Sequence, residues 1–261
     1  LLKLFRTNIL FNIRGVFEPS KSYGLQWYVL NFCQKILVLS KEMKVALRER
    51  LPLSDKMKNG IYTIYSVVDH SRFQPLIKPE KSKIFTVIVV AAFNEFKNQY
   101  QFLENCRELL KDLPIKIEFV GDMNNEYGLK CKELVDNSPL KDKITFLGFT
   151  EEIEAVYKKA DCSLVMSKRE GLARCMIESI SCGTPVISFD VTSAKEILVD
   201  YECGIVVPQG NYVKLIKAIN SLRTNDKLYR KFIKNGPLVS RLLFSKEHII
   251  EKYEEISLGN D

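Results

Sequence analysis

The chain has 261 residues, enough for one large or two modest domains, and its 46% hydrophobic and 27% charged residues are typical of a globular protein. Its net charge of +7 comes from lysine and arginine spread along the sequence without a dense basic block. This pattern indicates a solvated lysine-rich surface or attraction to an anionic partner, either a nucleotide diphosphate or an acidic membrane face, and gives no support for binding of nucleic acid.

Cysteine and histidine usage argues against a metal or disulfide framework. The seven cysteines are odd in number and contain no C-x-x-C pair, which predicts reduced thiols in a cytoplasmic protein. The only two histidines, His70 and His248, exclude a histidine metal cluster, so we expect no metal. No apolar run reaches the length of a membrane span.

The first third of the chain predicts a small set of alternating elements. Residues 1–23 are basic and apolar, and they favour a strand and loop over an interfacial amphipathic helix. The pattern then predicts, in order, a buried helix over 23–34, a strand over 35–40, a helix over 41–51 with Ser40 as its N-cap, a strand over 60–69, and a linker over 74–84. The chain begins Leu1-Leu2-Lys3 without a methionine, which predicts a fragment.

From Phe85 onward the alternation is regular. Strands are predicted over 85–93, 115–122, 144–149, 162–166, 184–189 and 204–208. Helices are predicted over 98–112, 124–137, 151–160, 173–183, 193–199, 211–222, 227–236 and 245–256, the last capped by Ser245. Strands that alternate with helices over such a span indicate a parallel, doubly wound α/β sheet.

The stretch from Asp161 to Val191 contains the candidate site. It reads as a buried strand, a polar loop, a helix that ends at Gly183, and a second buried strand. The loop Lys168–Arg174 should lie at the carboxyl edge of the sheet and lead into a helix amino end, which favours an anion such as a phosphate. Glu170 and Glu178 are eight positions apart and can face one crevice; the alternative is an ordinary strand-to-helix corner with two solvated glutamates.

The run E-G-L-A-R-C-M-I-E-S-I-S-C-G-T-P-V-I, residues 170–187, resembles the donor-sugar signature of the GT-B glycosyltransferases, specifically the large retaining family four, or glycosyl transferases group 1. The residues Ser40, Val68-Asp69 and Phe73 resemble the second half of that family's N-terminal domain. The resemblance implies an α/β GT-B fold of two Rossmann-like domains with parallel sheets, the N-terminal one incomplete. The implied divisions are 1–76 for the acceptor-side domain, 77–240 for the nucleotide-sugar-binding domain, and 241–261 for a C-terminal helix that returns to the first domain.

The resemblance also implies roles for individual residues. Lys97 and Glu170 would be catalytic, with Lys97 stabilising the departing diphosphate, and Glu178 would accept both ribose hydroxyls of the nucleotide. The remaining implied donor-binding residues are Gly171, Leu172, Ala173, Arg174, Cys175 and Phe149. Two alternatives stay open: Lys97 as a solvated lysine that opens a helix, and Phe149 as a core aromatic.

Several positions depart from the family pattern, among them Asn98 and Ala173, where the family usually has glycine and proline. The family's diphosphate-binding arginine is Ala92 here, and Arg174 is our candidate for the missing charge. The paired glycines that precede Glu196 in the family are Thr192 and Ser193 here. We interpret Glu196 itself as a structural or supporting residue.

The function implied by the resemblance is transfer of a sugar from a nucleotide-sugar, with UDP or GDP as the expected nucleotide, to a glycan or lipid-linked acceptor. Anomeric configuration would be retained, no cofactor would be needed, and the product would belong to surface polysaccharide or glycoconjugate synthesis. We expect a cytoplasmic location, with peripheral contact to an anionic membrane face as an option. The alternative is a non-catalytic subunit or truncated remnant that binds nucleotide or a partner without turnover, which Ala92 favours.

Overall fold

The computed structural model describes residues 10–14, 30, 33–76 and 81–258. Its strands are β1 (Leu10–Ile13), β2 (Lys35–Val38), β3 (Ile61–Thr63), β4 (Phe85–Val90), β5 (Ile115–Val120), β6 (Ile144–Gly148), β7 (Cys162–Val165), β8 (Val186–Phe189) and β9 (Gly204–Val207). Its α-helices are α1 (Lys41–Arg50), α2 (Asp55–Asn59), α3 (Gln99–Leu110), α4 (Glu126–Asp136), α5 (Ile153–Lys159), α6 (Arg174–Ser181), α7 (Tyr212–Thr224), α8 (Asp226–Phe244) and α9 (Lys246–Leu258).

The strands form two parallel sheets. The smaller sheet has the order β1-β2-β3, and the larger one has the order β6-β5-β4-β7-β8-β9. In the larger sheet β4 pairs with β5 on one side and with β7 on the other, so the direction of winding reverses between β4 and β7. The predicted α/β class with parallel sheets is confirmed, while the domain boundaries stay a prediction.

Each sheet is covered by helices because its strands are apolar on both faces. In the larger sheet, one core contains Val87, Phe119 and Leu164 under α3 and α7, and the other contains Ile88, Val165 and Val186 under α6 and α8. The smaller sheet packs one face on α1 and α2 and the other on α9, where Leu37 and Ile64 contact Ile249 and Ile256.

Helix capping follows the sequence closely where a polar cap residue is available. The predicted N-cap Ser40 is confirmed, since its hydroxyl accepts from the Met43 N–H at 3.0 Å. Ser245 accepts from the His248 N–H at 3.4 Å at the start of α9. Side-chain caps of this kind satisfy amide groups that have no partner within the helix.

Several predicted elements need correction or lie outside the described residues. The helix predicted over 23–34 falls almost entirely outside the described part of the chain, as do residues 1–9 and 15–22, whereas Leu10–Ile13 form a strand. The strand predicted over 60–69 is confirmed only over Ile61–Thr63, and the Ile64 N–H adds one further hydrogen bond to the Val38 carbonyl of β2. The segment Lys195–Val199 is a π-helical turn instead of an α-helix, and it follows Ser193 at a φ of 72°.

The helix predicted to end at Gly236 instead runs through Pro237 to Phe244. A proline normally disfavours a helical conformation in the residue before it, because its ring crowds that residue's Cβ. Gly236 has no Cβ, so this conflict is reduced. The same position approaches α6 so closely that an added Cβ would lie 2.9 Å from the Ile180 carbonyl oxygen.

Candidate active site

The candidate site lies where the winding of the larger sheet reverses. The carboxyl ends of β4 and β7 are neighbours there, and each leads into a loop: residues 91–98 after β4 and residues 166–173 after β7. In parallel α/β sheets ligands collect in the crevice outside the strand ends at this switch point. The strand order therefore brings the two loops that carry Lys97 and Glu170 to one place.

A cation and a carboxylate meet across this switch point. The Lys97 Nζ donates to Glu170 Oε1 at 2.5 Å, and the Ser167 hydroxyl donates to the same oxygen at 2.5 Å. The Lys97 side chain is 28% exposed and that of Glu170 is 14% exposed. Neither residue is a solvated surface group, so the alternatives of a solvated lysine and a solvated glutamate are wrong for this pair.

Both loops are held by local hydrogen bonds. The Asn94 carboxamide oxygen accepts from the N–H groups of Phe96 and Lys97 at 3.0 and 3.1 Å, which forms a tight turn before Lys97. The Lys168 N–H donates to the Phe96 carbonyl at 2.8 Å, and the Arg169 guanidinium lies 4.5 Å from the Phe96 ring centroid. These contacts hold the loop that carries Lys97 against the loop that carries Glu170.

Glu178 lies on the second turn of α6 and points into a mostly buried position. Its carboxylate is 14% exposed and accepts from Arg174 Nε at 3.3 Å and Nη2 at 3.2 Å. Burial raises the pKa of Glu178, while the charges of Arg174 and then Arg72 partly offset this rise. The buried Tyr157 side chain is close to Glu178. Burial raises the pKa of its phenol well above the usual range, and the nearby Cys175 and Glu178 raise it further.

The segment between the two glutamates forms the amino end of α6. Gly171, Leu172 and Ala173 are buried, and in the described part of the chain no side chain caps this helix end, whose N-cap is Ala173. An uncapped helix amino end presents N–H groups and a partial positive charge to whatever lies beyond it. These three residues would therefore contribute through their backbone, as the resemblance implies.

Arg174 and Cys175 differ in accessibility. The Arg174 side chain is 70% exposed, and its guanidinium is held on Glu178. Cys175 is half-buried; burial, followed by the charge of Glu170, raises the pKa of its thiol to about 12. A thiol with so high a pKa stays neutral at physiological pH and is not a nucleophile.

Phe149 lies apart from this cluster, at the carboxyl end of β6. It is 73% exposed and lines a groove of about 600 Å³ together with Asp122, Asn124 and Gly148. Gly148 has a φ of 74°, a left-handed conformation that glycine adopts without strain and that turns the chain outward at this point. The alternative of a core aromatic is wrong, and a contact to a nucleotide base stays a prediction.

Three further features concern residues where the chain departs from the family pattern or where sequence reasoning was incomplete. Ala92 offers its carbonyl to Gln99 Nε2 at 2.9 Å and supplies no charge to the crevice. Ser193 takes the left-handed backbone that explains why glycine is usual there. Ser167 and Tyr157 were missed: Ser167 contacts Glu170 only three residues further along the chain, whereas the proximity of Tyr157 to Glu178 depends on the packing of α5 against α6.

Glu196 connects the two sheets. Its carboxylate accepts from the Lys41 N–H at 2.9 and 3.2 Å and from the Tyr65 hydroxyl at 3.3 Å. It thereby occupies the amino end of α1, and burial raises its pKa above the usual range despite these hydrogen bonds. This arrangement matches a structural role.

Metal ligation and membrane insertion find no support in the described residues. They contain no group of three or more histidine, cysteine, aspartate or glutamate side chains placed to hold a metal ion. None of the helices they form combines the length and the apolar composition needed to cross a bilayer.

Comparison with known proteins identifies the relatives of this chain. The family model described as Glycosyl transferases group 1 matches residues 70–239. An uncharacterized glycosyltransferase of Haemophilus influenzae is 24% identical over 233 residues, which is 88% of this chain and 63% of that protein. The GalNAc-alpha-(1->4)-GalNAc-alpha-(1->3)-diNAcBac-PP-undecaprenol alpha-1,4-N-acetyl-D-galactosaminyltransferase of Campylobacter jejuni is 27% identical over 227 residues, 85% of this chain and 59% of that protein.

A solved structure shows the same fold. The crystal structure of HepE from Anabaena in complex with UDP superposes with a TM-score of 0.85 at 16% identity, covering 98% of this chain and 73% of that one. This likeness confirms the predicted GT-B fold. The chain spans 63% and 59% of the two curated relatives' lengths, so their activities refer to longer proteins.

Proposed function

Because the chain belongs to the glycosyl transferases group 1 family, we propose that it contains the donor-binding part of an enzyme that transfers a sugar from a nucleotide-sugar to a glycan or lipid-linked acceptor. The reaction retains the anomeric configuration and needs no cofactor or metal. Its setting is surface polysaccharide or glycoconjugate synthesis in the cytoplasm.

The observation that carries this proposal is the cluster at the switch point. Lys97 contacts Glu170 at 2.5 Å, and the uncapped amino end of α6 separates Glu170 from the half-buried Glu178. One cation, a row of backbone N–H groups and two carboxylates are the groups that a sugar diphosphate requires. The N–H groups and the cation match its anionic part, and the carboxylates match the hydroxyls of its two sugars.

Each group has a chemical task in this proposal. Negative charge grows on the diphosphate as the glycosidic bond breaks, and Lys97 with the amino end of α6 stabilises it. Glu178 accepts the two ribose hydroxyls, and Glu170 accepts hydroxyls of the donor sugar. Attack comes from the face of the leaving group through an oxocarbenium-like state, and the donor phosphate takes the proton of the acceptor.

The relatives support the choice of substrates. HepE was crystallised with UDP, which favours UDP as the nucleotide. The name of the Campylobacter jejuni relative specifies an undecaprenol-diphosphate acceptor and an alpha linkage. An alpha product is what retention gives from an alpha-linked donor such as UDP-glucose.

The test is thermal unfolding of wild type and Glu178→Ala with UDP, GDP, ADP and their sugars. A ligand that binds only the folded state at 100 times its Kd adds about 2.7 kcal/mol, and each kcal/mol raises Tm by roughly 2–4 °C at this chain length. We expect one nucleotide to raise Tm of the wild type and of Glu133→Ala, an exposed control on α4, but not of Glu178→Ala. If no nucleotide raises Tm of the wild type, the proposed donor site is wrong.

A non-catalytic, nucleotide-binding role is the second candidate, and Ala92 favours it. The family's diphosphate-binding arginine is absent at this position, and the Ala92 carbonyl is engaged with Gln99. Arg174 is 70% exposed and can supply the charge only if a bound diphosphate draws it from Glu178. An assay for free nucleotide, with the nucleotide-sugar that stabilises the protein, separates the enzyme from the non-catalytic binding protein. Only the enzyme releases nucleotide from that compound.

A further inference from the structure

A second pocket lies beside β3, the last strand of the smaller sheet as described. Its volume is about 570 Å³, which falls in the usual range for small-molecule sites, roughly 300–1,000 Å³. Its walls come from the first turns of α1, from β3 and Tyr65 just after it, and from one face of α9, with Lys35, Tyr201 and Leu243 completing them. None of the predicted donor-site residues lines it.

The charge of this pocket is predominantly positive. Lys35, Lys41, Lys44 and Lys252 line it, whereas Glu255 is the single carboxylate among the described lining residues and is exposed. A concave surface with one dominant sign of charge concentrates ions of the opposite sign. The pocket is therefore suited to an anion.

Two of these lysines have defined surroundings. The Lys44 Nζ lies 5.8 Å from the centroid of the Tyr62 ring, and burial, followed by the charge of Arg48, lowers the pKa of Lys44. The Lys35 amine donates to the Ile256 carbonyl near the end of α9. An anion between α1 and α9 would offset the electrostatic cost of holding Lys44 there.

The helix dipole of α1 does not supply this positive field. Its first amide, the Lys41 N–H, is already bonded to Glu196, and so is the Tyr65 hydroxyl. Glu196 adds a negative charge next to the pocket residues Lys41 and Tyr65. Attraction of an anion to the pocket therefore depends on the lysine side chains. The Tyr62, Tyr65 and Tyr201 side chains line the same space and add apolar surface for the body of a ligand.

We propose that this pocket binds a phosphate-bearing small ligand, with the phosphate between Lys44 and Lys252 and a sugar-sized body against Tyr62 and Tyr201. The phosphate ester has two sources with the same chemistry: a soluble sugar phosphate or an anionic lipid headgroup. The site is separate from the proposed donor site and does not depend on the donor assignment.

The test is titration calorimetry at low salt with inorganic pyrophosphate and glucose 1-phosphate, with cosedimentation on phosphatidylcholine vesicles with and without phosphatidylglycerol as the lipid arm. We expect Lys44→Gln/Lys252→Gln to weaken binding about tenfold or more, because it removes two charged donors. Lys44→Arg/Lys252→Arg keeps both charges and should bind within about threefold of wild type. If wild type binds phosphatidylglycerol vesicles but neither soluble probe, and the Gln variant loses this binding, the site is supported and its ligand is a lipid headgroup.

Two further variants distinguish this site from a general effect of surface charge and from the proposed donor site. Lys214→Gln/Lys217→Gln removes the same charge from the exposed face of α7 and should leave affinity unchanged. Lys97→Ala removes the proposed donor cation, and the binding that is lost in the Gln variant should persist in it. The proposal is overturned if wild type binds no probe and no vesicle, if the α7 control loses as much affinity, or if binding is lost in Lys97→Ala and kept in the Gln variant. If the double Gln variant unfolds, the probe affinities of the Arg variant and of single Lys252→Gln are compared with that of wild type instead.

Discussion

At the scale of single residues, the Lys97–Glu170 ion pair determines what an incoming donor meets. Both side chains are largely buried, and Ser167 holds the same carboxylate oxygen. In the function that we propose, a diphosphate that reaches Lys97 competes with Glu170, and the released carboxylate accepts hydroxyls of the donor sugar. On this proposal the ion pair keeps both groups oriented before the substrate arrives.

Glu178 gives a prediction about stability and pH. Its folded-state pKa lies above the unfolded value because of burial, so folding favours the protonated form, and this stabilising effect is present at low pH and lost as pH rises. Replacing Glu178 with glutamine removes the titration. We expect the stability of wild type relative to Glu178→Gln to fall as the pH rises from about 4 to 7.

Urea unfolding of both proteins at a series of pH values measures this difference. Glu133 is an exposed glutamate on α4, and Glu133→Gln serves as the matched control. The difference in stability between wild type and this control should change little with pH. A difference between wild type and Glu178→Gln that is constant with pH, or that grows in favour of wild type as the pH rises, contradicts the burial that we describe.

Sequence alone singles out the two glutamates as a candidate pair but not the surroundings that give them their properties. Their spacing of eight lies within one loop and helix, so the pattern of residues is a sufficient guide. Lys97 meets Glu170 from 73 positions away, and this contact depends on the strand order of the sheet. Phe149 is exposed directly after the left-handed Gly148, and no periodic pattern reveals either property.

At the scale of elements, the position of α6 is set by its packing against α8. Gly236 lies on the face of α8 that meets α6, and an added Cβ would approach the Ile180 carbonyl oxygen at 2.9 Å and the Ile180 Cβ at 3.2 Å. Because that oxygen belongs to backbone, relief requires one helix to shift. The amino end of α6 holds the candidate site, so its placement depends on this contact.

We predict that Gly236→Ala destabilises the protein by about 1–3 kcal/mol, the usual cost of overpacking, even though alanine is the better helix former by roughly 1 kcal/mol. Leu238→Ala, at a 60% exposed position on the same helix, should change the stability much less. Denaturant unfolding measures both variants. An increase in stability for Gly236→Ala would show that α6 and α8 are not in close contact.

The alternation of strands and helices from Phe85 could be predicted because each element carries its own apolar pattern. The continuation of α8 through Pro237 could not, since it depends on the absence of a Cβ at Gly236 and on packing against α6. The π-helical turn at Lys195–Val199 also escaped prediction; it carries Glu196, whose contact with the amino end of α1 depends on the tertiary fold.

At the scale of the whole molecule, hydrogen bonds and apolar packing among the described residues join the smaller sheet to the rest of the chain. Glu196 bonds to Lys41 and Tyr65, the Val68 N–H donates to the Phe244 carbonyl at 2.9 Å, and α9 covers the smaller sheet. These contacts hold the smaller sheet against the part of the chain that forms the larger one.

The central claim is that a nucleotide-sugar diphosphate binds at the amino end of α6 between Glu170 and Glu178. Amide hydrogen exchange with and without the stabilising nucleotide tests it most directly, because exchange reports individual backbone segments. We predict slower exchange with nucleotide over residues 171–178 and in the loop that carries Lys97, and no such slowing in Glu178→Ala. Protection confined to other segments, or equal protection in wild type and Glu178→Ala, would contradict this placement of the donor.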